Sequence, residues 1–330
     1  MATHTLSKTV LTILTVLVAG VSGFAGEPTS RLLTGGEYTK RIEGPAVDTA
    51  GALYAMNLGS DGVIGKLSPG ATTSVPFATL PNGGIGSGAR FDRAGRLYVA
   101  DFKNHKVHVF EPGQTTPGVY FEAREDDAHG KFNQPNDLAM AADGTIYASD
   151  PKRSDGTGRI WRITRGADGT VRGELLTFGN QPMGVTNGIE LSPDEATLYV
   201  GESKTSSKPA RLLAYRLRDG KLAERRVLKT FDQFDLDGMR TDIDGKLFAA
   251  RPDAGTVAVF APDGTPLPEI RLLKKGPTNL AFGGPGGKTV FVTQSEGEHG
   301  FIEAFGVDRP GREFCMLRPP GSGCVSSRAC

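Results

Sequence analysis

Cysteine is scarce: three residues in a chain of 330, and all three, Cys315, Cys324 and Cys330, stand within the last sixteen positions. No histidine lies among them and the spacing is not that of a zinc site. In an oxidising compartment they allow one disulfide within the tail and leave one thiol over. Charge of one sign is also missing, with 38 Lys and Arg against 37 Asp and Glu. A general nucleic-acid binder, whose affinity rests on clustered basic residues, is excluded on that ground. Tryptophan occurs once, and no apolar run reaches the ~20 residues of a membrane-spanning helix. Glycine and proline are plentiful, at 45 and 21 residues. Glycine is thus about twice its average usage of about 7%. A chain that turns so often is not a helical bundle or a coiled coil.

Residues 1–25 stand apart. Lys8 is the only charge before an apolar run from Thr9 to about Val21, which ends in small residues at Gly23 and Ala25. This pattern predicts a secretory signal peptide cleaved near Ala25–Gly26, and hence a periplasmic or secreted protein with no membrane attachment afterwards. Its removal takes one positive charge and leaves the remainder neutral.

A repeat runs through the rest. Gly95-Arg-Leu-Tyr-Val-Ala-Asp101, Gly144-Thr-Ile-Tyr-Ala-Ser-Asp150, Ala196-Thr-Leu-Tyr-Val-Gly-Glu202 and Gly245-Lys-Leu-Phe-Ala-Ala share one pattern, with weaker copies at Gly51 and Gly287. The anchors Leu53, Leu97, Ile146, Leu198, Leu247 and Val290 are 44, 49, 52, 49 and 43 residues apart, a period of about 47. Each anchor strand precedes a second alternating run, such as Val107-His-Val-Phe or Ile160-Trp-Arg-Ile. Four short strands per repeat, six times over, predict an all-β, six-bladed β-propeller over residues 26–308. Arg31-Leu-Leu-Thr is expected to close the ring against the last blade. The Cys-, Pro- and Gly-rich tail, 309–330, reads as an appendage.

Function must come from a site on this scaffold. The innermost strand of each blade precedes the anchor strand. Counting back ten residues from the anchors gives Glu43, Ser87, Asn136 and Asp237; counting back eleven, for one extra turn residue, gives Asn187 and Asn279. All six carry short oxygen-bearing side chains and converge on one axis. A hard cation wants such ligands, and two carboxylates balance the charge of Ca²⁺. The lack of His and Cys in the set disfavours zinc and copper. The bland alternative is that these residues only hydrate a channel and cap strands. A second polar series, Asn57, Asp101, Asp150, Glu202, Arg251 and Gln294, mixes signs and is expected to bond backbone.

Four motifs, Glu43-Gly-Pro, Gln134-Pro-Asn136-Asp-Leu, Asn187-Gly-Ile-Glu-Leu-Ser-Pro-Asp and Asp237-Gly-Met-Arg-Thr-Asp, occur in order and at blade spacing. Together they resemble the senescence-marker-protein/gluconolactonase/regucalcin family of six-bladed propellers, which includes lactonases. The resemblance implies a catalytic divalent cation, usually calcium, on Glu43, Asn187 and Asp237, with Asn136 as a fourth ligand. It also implies Asp237 as the base that activates water. An adjacent cation depresses a carboxylate's pKa, so nucleophile and positioner of a metal-bound water stay open as its role. Ser87 departs from the Asn common at its position in sugar-lactone members. Ser87, Asn279 and the loop residue His129 are the residues expected to touch substrate. The implied activity is that of a monomeric, metal-dependent hydrolase acting on a small lactone or ester. The rival reading is a non-enzymatic binding propeller, since Asp101-Phe-Lys-Asn-His-Lys-Val-His-Val-Phe110 resembles one NHL-type repeat.

Overall fold

A computed structural model of the chain describes residues 30–124, 129–319 and Cys324. The predicted signal peptide lies outside the described residues. The turns between first and second strands explain the repeated motif. In Asp92-Arg-Ala-Gly95, Asp92 Oδ1 accepts the backbone N–H groups of Ala94 and Arg96, each at 2.9 Å. Gly95 then takes a φ of 79°, which a side chain would resist. Asp242 to Gly245 repeats the device, with Asp242 Oδ1 on Asp244 and Lys246 and a φ of 89° at Gly245.

These hairpins build an all-β propeller. Four sheets are four-stranded antiparallel meanders that begin with the strands Gly86–Phe91, Leu138–Met140, Thr186–Leu191 and Met239–Thr241. A fifth sheet has eight strands. Within it, Pro277–Gly283, Thr289–Glu296 and His299–Gly306 are followed by Tyr38–Val47, Leu53–Leu58, Val63–Leu67 and Val75–Thr79. Arg31–Leu32 pairs with the last-formed edge, Arg31 opposite Ala304, as the ring-closing strand expected from the sequence. The joint between the two runs is short, Tyr38 opposite Gly300 and Thr39 opposite His299.

The first strand of each sheet touches the first strand of the next, and Pro277–Gly283 touches Tyr38–Val47, so the inner strands close a ring. The hydrophobic core is split among the interfaces between successive sheets. Trp161, Phe132 and Tyr98 fill one of them, while Tyr215, Leu213 and Ile189 fill the next. Apolar burial at about 25 cal/mol per Å² therefore holds each sheet to both neighbours.

The tail packs into the propeller rather than hanging from it. A short helix, Arg312–Met316, and the residues around it bond to several sheets. Arg93 Nε reaches the Met316 carbonyl at 2.7 Å, Arg312 reaches the Met140 carbonyl at 2.7 Å, and Arg318 reaches the Thr49 carbonyl at 3.1 Å. Cys315 is bonded to Cys324 across nine residues.

Candidate active site

Bulges aim the ring residues. The pairing of Tyr38–Val47 with its neighbour shifts register on both sides of Glu43, and similar shifts fall between Gly86 and Ala89 and between Thr186 and Ile189. An extra residue in one strand turns a side chain out of strict alternation. The glycine after a ring residue then lets the next sheet approach. A Cβ on Gly188 would collide with the Asp237 carbonyl, and one on Gly238 would collide with the Asn279 amide.

These contacts bring the sequence-predicted residues together. Glu43 Oε2 accepts the Gly44 N–H at 3.0 Å and Asn279 Nδ2 at 3.2 Å. Asn279 Oδ1 accepts the Leu280 N–H at 2.8 Å, which fixes the amide with its Nδ2 toward Glu43. Asn279 also lies against Gly238, beside Asp237. Asn187 Nδ2 donates to Ser203 Oγ at 2.9 Å and to the Leu236 carbonyl at 3.4 Å. Its Oδ1 is buried with no hydrogen-bond partner. Asn136 donates its backbone N–H to Ser149 and accepts that of Gly88, while Ser87 is buried with its carbonyl against Gly44. His129 is the exception. Its ring is 6.0 Å from that of Trp161 in an exposed loop, and no contact among the described residues joins it to the ring.

Electrostatics mark the two carboxylates. Burial raises the Glu43 carboxyl to about 7, and the nearby Asp137 charge adds to it. Burial also holds Asp237 well above the usual carboxylate range, with Glu43 as the second cause. A nearby positive charge would favour the ionised form of both acids. Among the described residues no three His, Cys, Asp or Glu side chains form a metal cluster. The oxygen groups gathered here are two carboxylates and the unpartnered Oδ1 of Asn187, while Asn136 joins the ring through its backbone bonds to Gly88 and Ser149. That oxygen-only set fits a hard cation.

Three residues beyond each of three ring positions lies a charged layer that sequence reasoning missed. Arg90 and Arg240, each 1% exposed, both meet Asp137, at 3.2 and 3.6 Å, and both meet Glu313 of the tail helix, at 2.5 and 3.3 Å. Arg312 meets Glu190 at 3.4 Å and Glu195 at 2.8 Å. A signal was present, since Ala89-Arg90-Phe91 and Ile189-Glu190-Leu191 each carry one charge inside an apolar strand. The second polar series bonds backbone in most of its members: Asp101 accepts from Ile85, Asp150 from Gln134 and Glu202 from Gly184.

The family profile described as SMP-30/Gluconolactonase/LRE-like region matches residues 43–296. A gluconolactonase of Zymomonas mobilis subsp. mobilis is 31% identical over 231 residues, which is 63% of this chain and 60% of that protein. The chain spans about 60% of the length of the curated relatives it matches. Among solved structures, a gluconolactonase from Xanthomonas campestris superposes with a TM-score of 0.69 at 23% identity, covering 86% of this chain and 91% of the other. A calcium-binding protein, regucalcin, from Agrobacterium tumefaciens gives 0.67 at 21%, covering 86% and 95%. At such identities these two structures speak for the fold alone.

Proposed function

The chain belongs to the SMP-30/gluconolactonase/LRE-like family, and from that premise we propose that it is a hydrolase opening lactones or related esters at a divalent-cation site in the mouth of a six-bladed propeller. The count of six takes the eight-stranded sheet as two blades joined at Tyr38 and Thr39, which the closed ring of inner strands supports. One observation carries the functional reading: Glu43 and Asp237, from distant stretches of chain, lie half-buried and electrostatically coupled with raised proton affinity, beside an unpartnered Asn187 oxygen.

Glu43, Asn187 and Asp237 would hold the ion, with Asn136 as a fourth ligand, and calcium is the ion the donor set favours. When bound, it supplies a Lewis acid toward the substrate carbonyl and neutralises the two carboxylates. Asn279 fixes the Glu43 carboxylate through its N–H. The Ser203 hydroxyl and the Leu236 carbonyl hold the Asn187 amide by its nitrogen and leave its buried oxygen without a partner. Asp237 orients the attacking water. Hydrolysis adds that water to the lactone carbonyl carbon, breaks the ring C–O bond and yields a hydroxy carboxylate and a proton. Ser87 and Asn279 would border the substrate. With no contact to the ring, His129 is a weaker candidate. In the same reading residues 1–25 are a cleaved export signal, the site works in the periplasm or outside the cell, and the protein is a monomer.

The test is hydrolysis of a panel of γ- and δ-lactones and aryl esters with and without a chelator. Calcium-restored turnover that is lost in Asp237→Ala is the expected result. Turnover indifferent to chelator, or none on any substrate while calcium fails to bind, would sink the proposal.

A further inference from the structure

Charges around the site's mouth are not evenly matched. On the side of Tyr38–Val47 and the last strands, cations and anions pair: Lys40 with Glu298 at 3.0 Å, Arg41 with Asp61 at 3.2 Å, and Lys274 with Glu296 at 2.5 Å. The opposite side differs. Between the hairpin at 153–156 and the loop at 203–209 lies a cavity of about 400 Å³ lined by Arg153, Lys204 and Lys208. Its one carboxylate, Asp155, is engaged by Lys152 at 2.7 Å. Among the described residues, no ion pair involves Arg153, Lys204 or Lys208; Lys204 Nζ reaches only the Asp232 carbonyl, at 3.5 Å. Hydroxyls of Ser154, Ser206 and Ser207 line the same space.

This cavity adjoins the candidate site. Lys204 directly follows Ser203, whose hydroxyl holds Asn187, and its own N–H donates to Asp235 at 2.8 Å, two residues before Asp237. Arg153 is the cation whose charge most favours the ionised form of Asp237. Were a divalent ion to balance Glu43 and Asp237, three cationic side chains would remain on this rim with no ion-pair partner among the described residues. Such an uncompensated patch beside a pocket attracts and orients anions.

We propose that this cavity receives an anionic substituent of the substrate, so that the preferred ligands are lactones carrying a carboxylate or phosphate on the chain outside the ring. The inference rests on the lactone-opening reading above and specifies its substrate class. Arg153 supplies a planar fork for two oxygens of the anion, and the lysines add point charges with the serine hydroxyls between them. The lactone ring then sits toward Asn187 and Asp237, with the charged group held a few bonds away.

The test compares matched neutral and anionic lactones: D-glucono-1,4-lactone against D-glucaro-1,4-lactone, and D-glucono-1,5-lactone against its 6-phosphate. Which anionic member gains more separates carboxylate from phosphate recognition. Wild-type protein should favour an anionic member in kcat/KM, and the preference should shrink as salt rises. Each of Arg153→Gln, Lys204→Gln and Lys208→Gln should reduce that preference by up to about fivefold, and the triple variant by on the order of 30-fold. Calorimetric titration of the open-chain products glucarate and gluconate, with calcium present, gives a readout that needs no turnover. Glucarate binding lost in the triple variant, with no lactone hydrolysed, would keep the anion site and end the lactonase reading. Equal kcat/KM for neutral and charged lactones, or a triple variant that slows both alike, overturns the anion site and leaves the lactonase reading standing.

Discussion

Two layers of the same inner-strand ring, separated by about three residues of chain, treat buried charge in opposite ways. In the upper layer Glu43 and Asp237 have hydrogen bonds and the more distant Arg240 and Arg153 for help, and among the described residues neither makes an ion pair. In the lower layer Arg90, Arg240 and Arg312 stand against Asp137, Glu190 and Glu313, every charge with a partner within 3.6 Å. Charge left unbalanced at a buried place is costly and persists where a ligand completes it. Charge that is balanced in place is architecture. The tail helix belongs to the second kind, because Glu313 is what keeps two buried guanidinium groups from facing Asp137 alone.

The sharpest way to break this contrast is to unbalance the lower layer. Glu313→Ala leaves two buried arginines short of an anion and should cost about 3–5 kcal/mol of stability. Denaturant unfolding reads it, with Glu313→Gln expected to fall between wild type and Ala. A midpoint unchanged in both variants would mean that the ion pairs are not structural. Emptying the upper layer should do the reverse. Asp237→Ala relieves repulsion, so it should leave the unfolding midpoint the same or higher while lactone turnover falls on the order of 10²–10³-fold. If turnover and stability fell together, the two layers would not be separable.

A smaller effect is expected from the seam between neighbouring sheets. Gly238→Ala places a methyl group into the Asn279 amide. Overpacking of that kind costs about 1–3 kcal/mol, and here it should also displace the group that orients Glu43. A raised calcium requirement in this variant, measured by titration, is the discriminating sign. The smallest effect is a pH dependence. Burial, with the Glu313 charge next, raises Glu190 to about 7 from an ordinary 4.5. A carboxyl raised on folding adds stability below its unfolded value and loses it as pH climbs through the folded one. Wild-type stability should therefore drop between pH 5 and 8 by on the order of 1 kcal/mol relative to Glu190→Gln. Parallel curves for the two proteins would remove Glu190 as a source.

Much of this arrangement was readable before any coordinates. The period of about 47 residues rests on an apolar anchor that follows each turn, and the residue preferences of turns are local and so survive in the one-dimensional string. The ring positions were readable for the same reason, being ten or eleven residues before the anchors. Arg90 and Glu190 escaped because strict alternation puts them on the wrong face. The bulges at Gly86/Ala89 and Thr186/Ile189 add one residue and turn them inward, and a bulge leaves little trace in composition. The bond from Asn279 to Glu43 was not foreseen, since it depends on an amide orientation set by the Leu280 N–H.

Local chemistry in the chain was therefore enough for the strands, their number per repeat, the turns and the kinds of atoms that would meet at the strand starts. Each of those depends on neighbours a few residues apart. Which oxygens remain free, which charges find partners and where the tail goes depended on contacts across gaps as long as the 223 residues between Arg93 and Met316. Desolvation and charge pairing act on distance in space, and only the closed ring of sheets sets that distance.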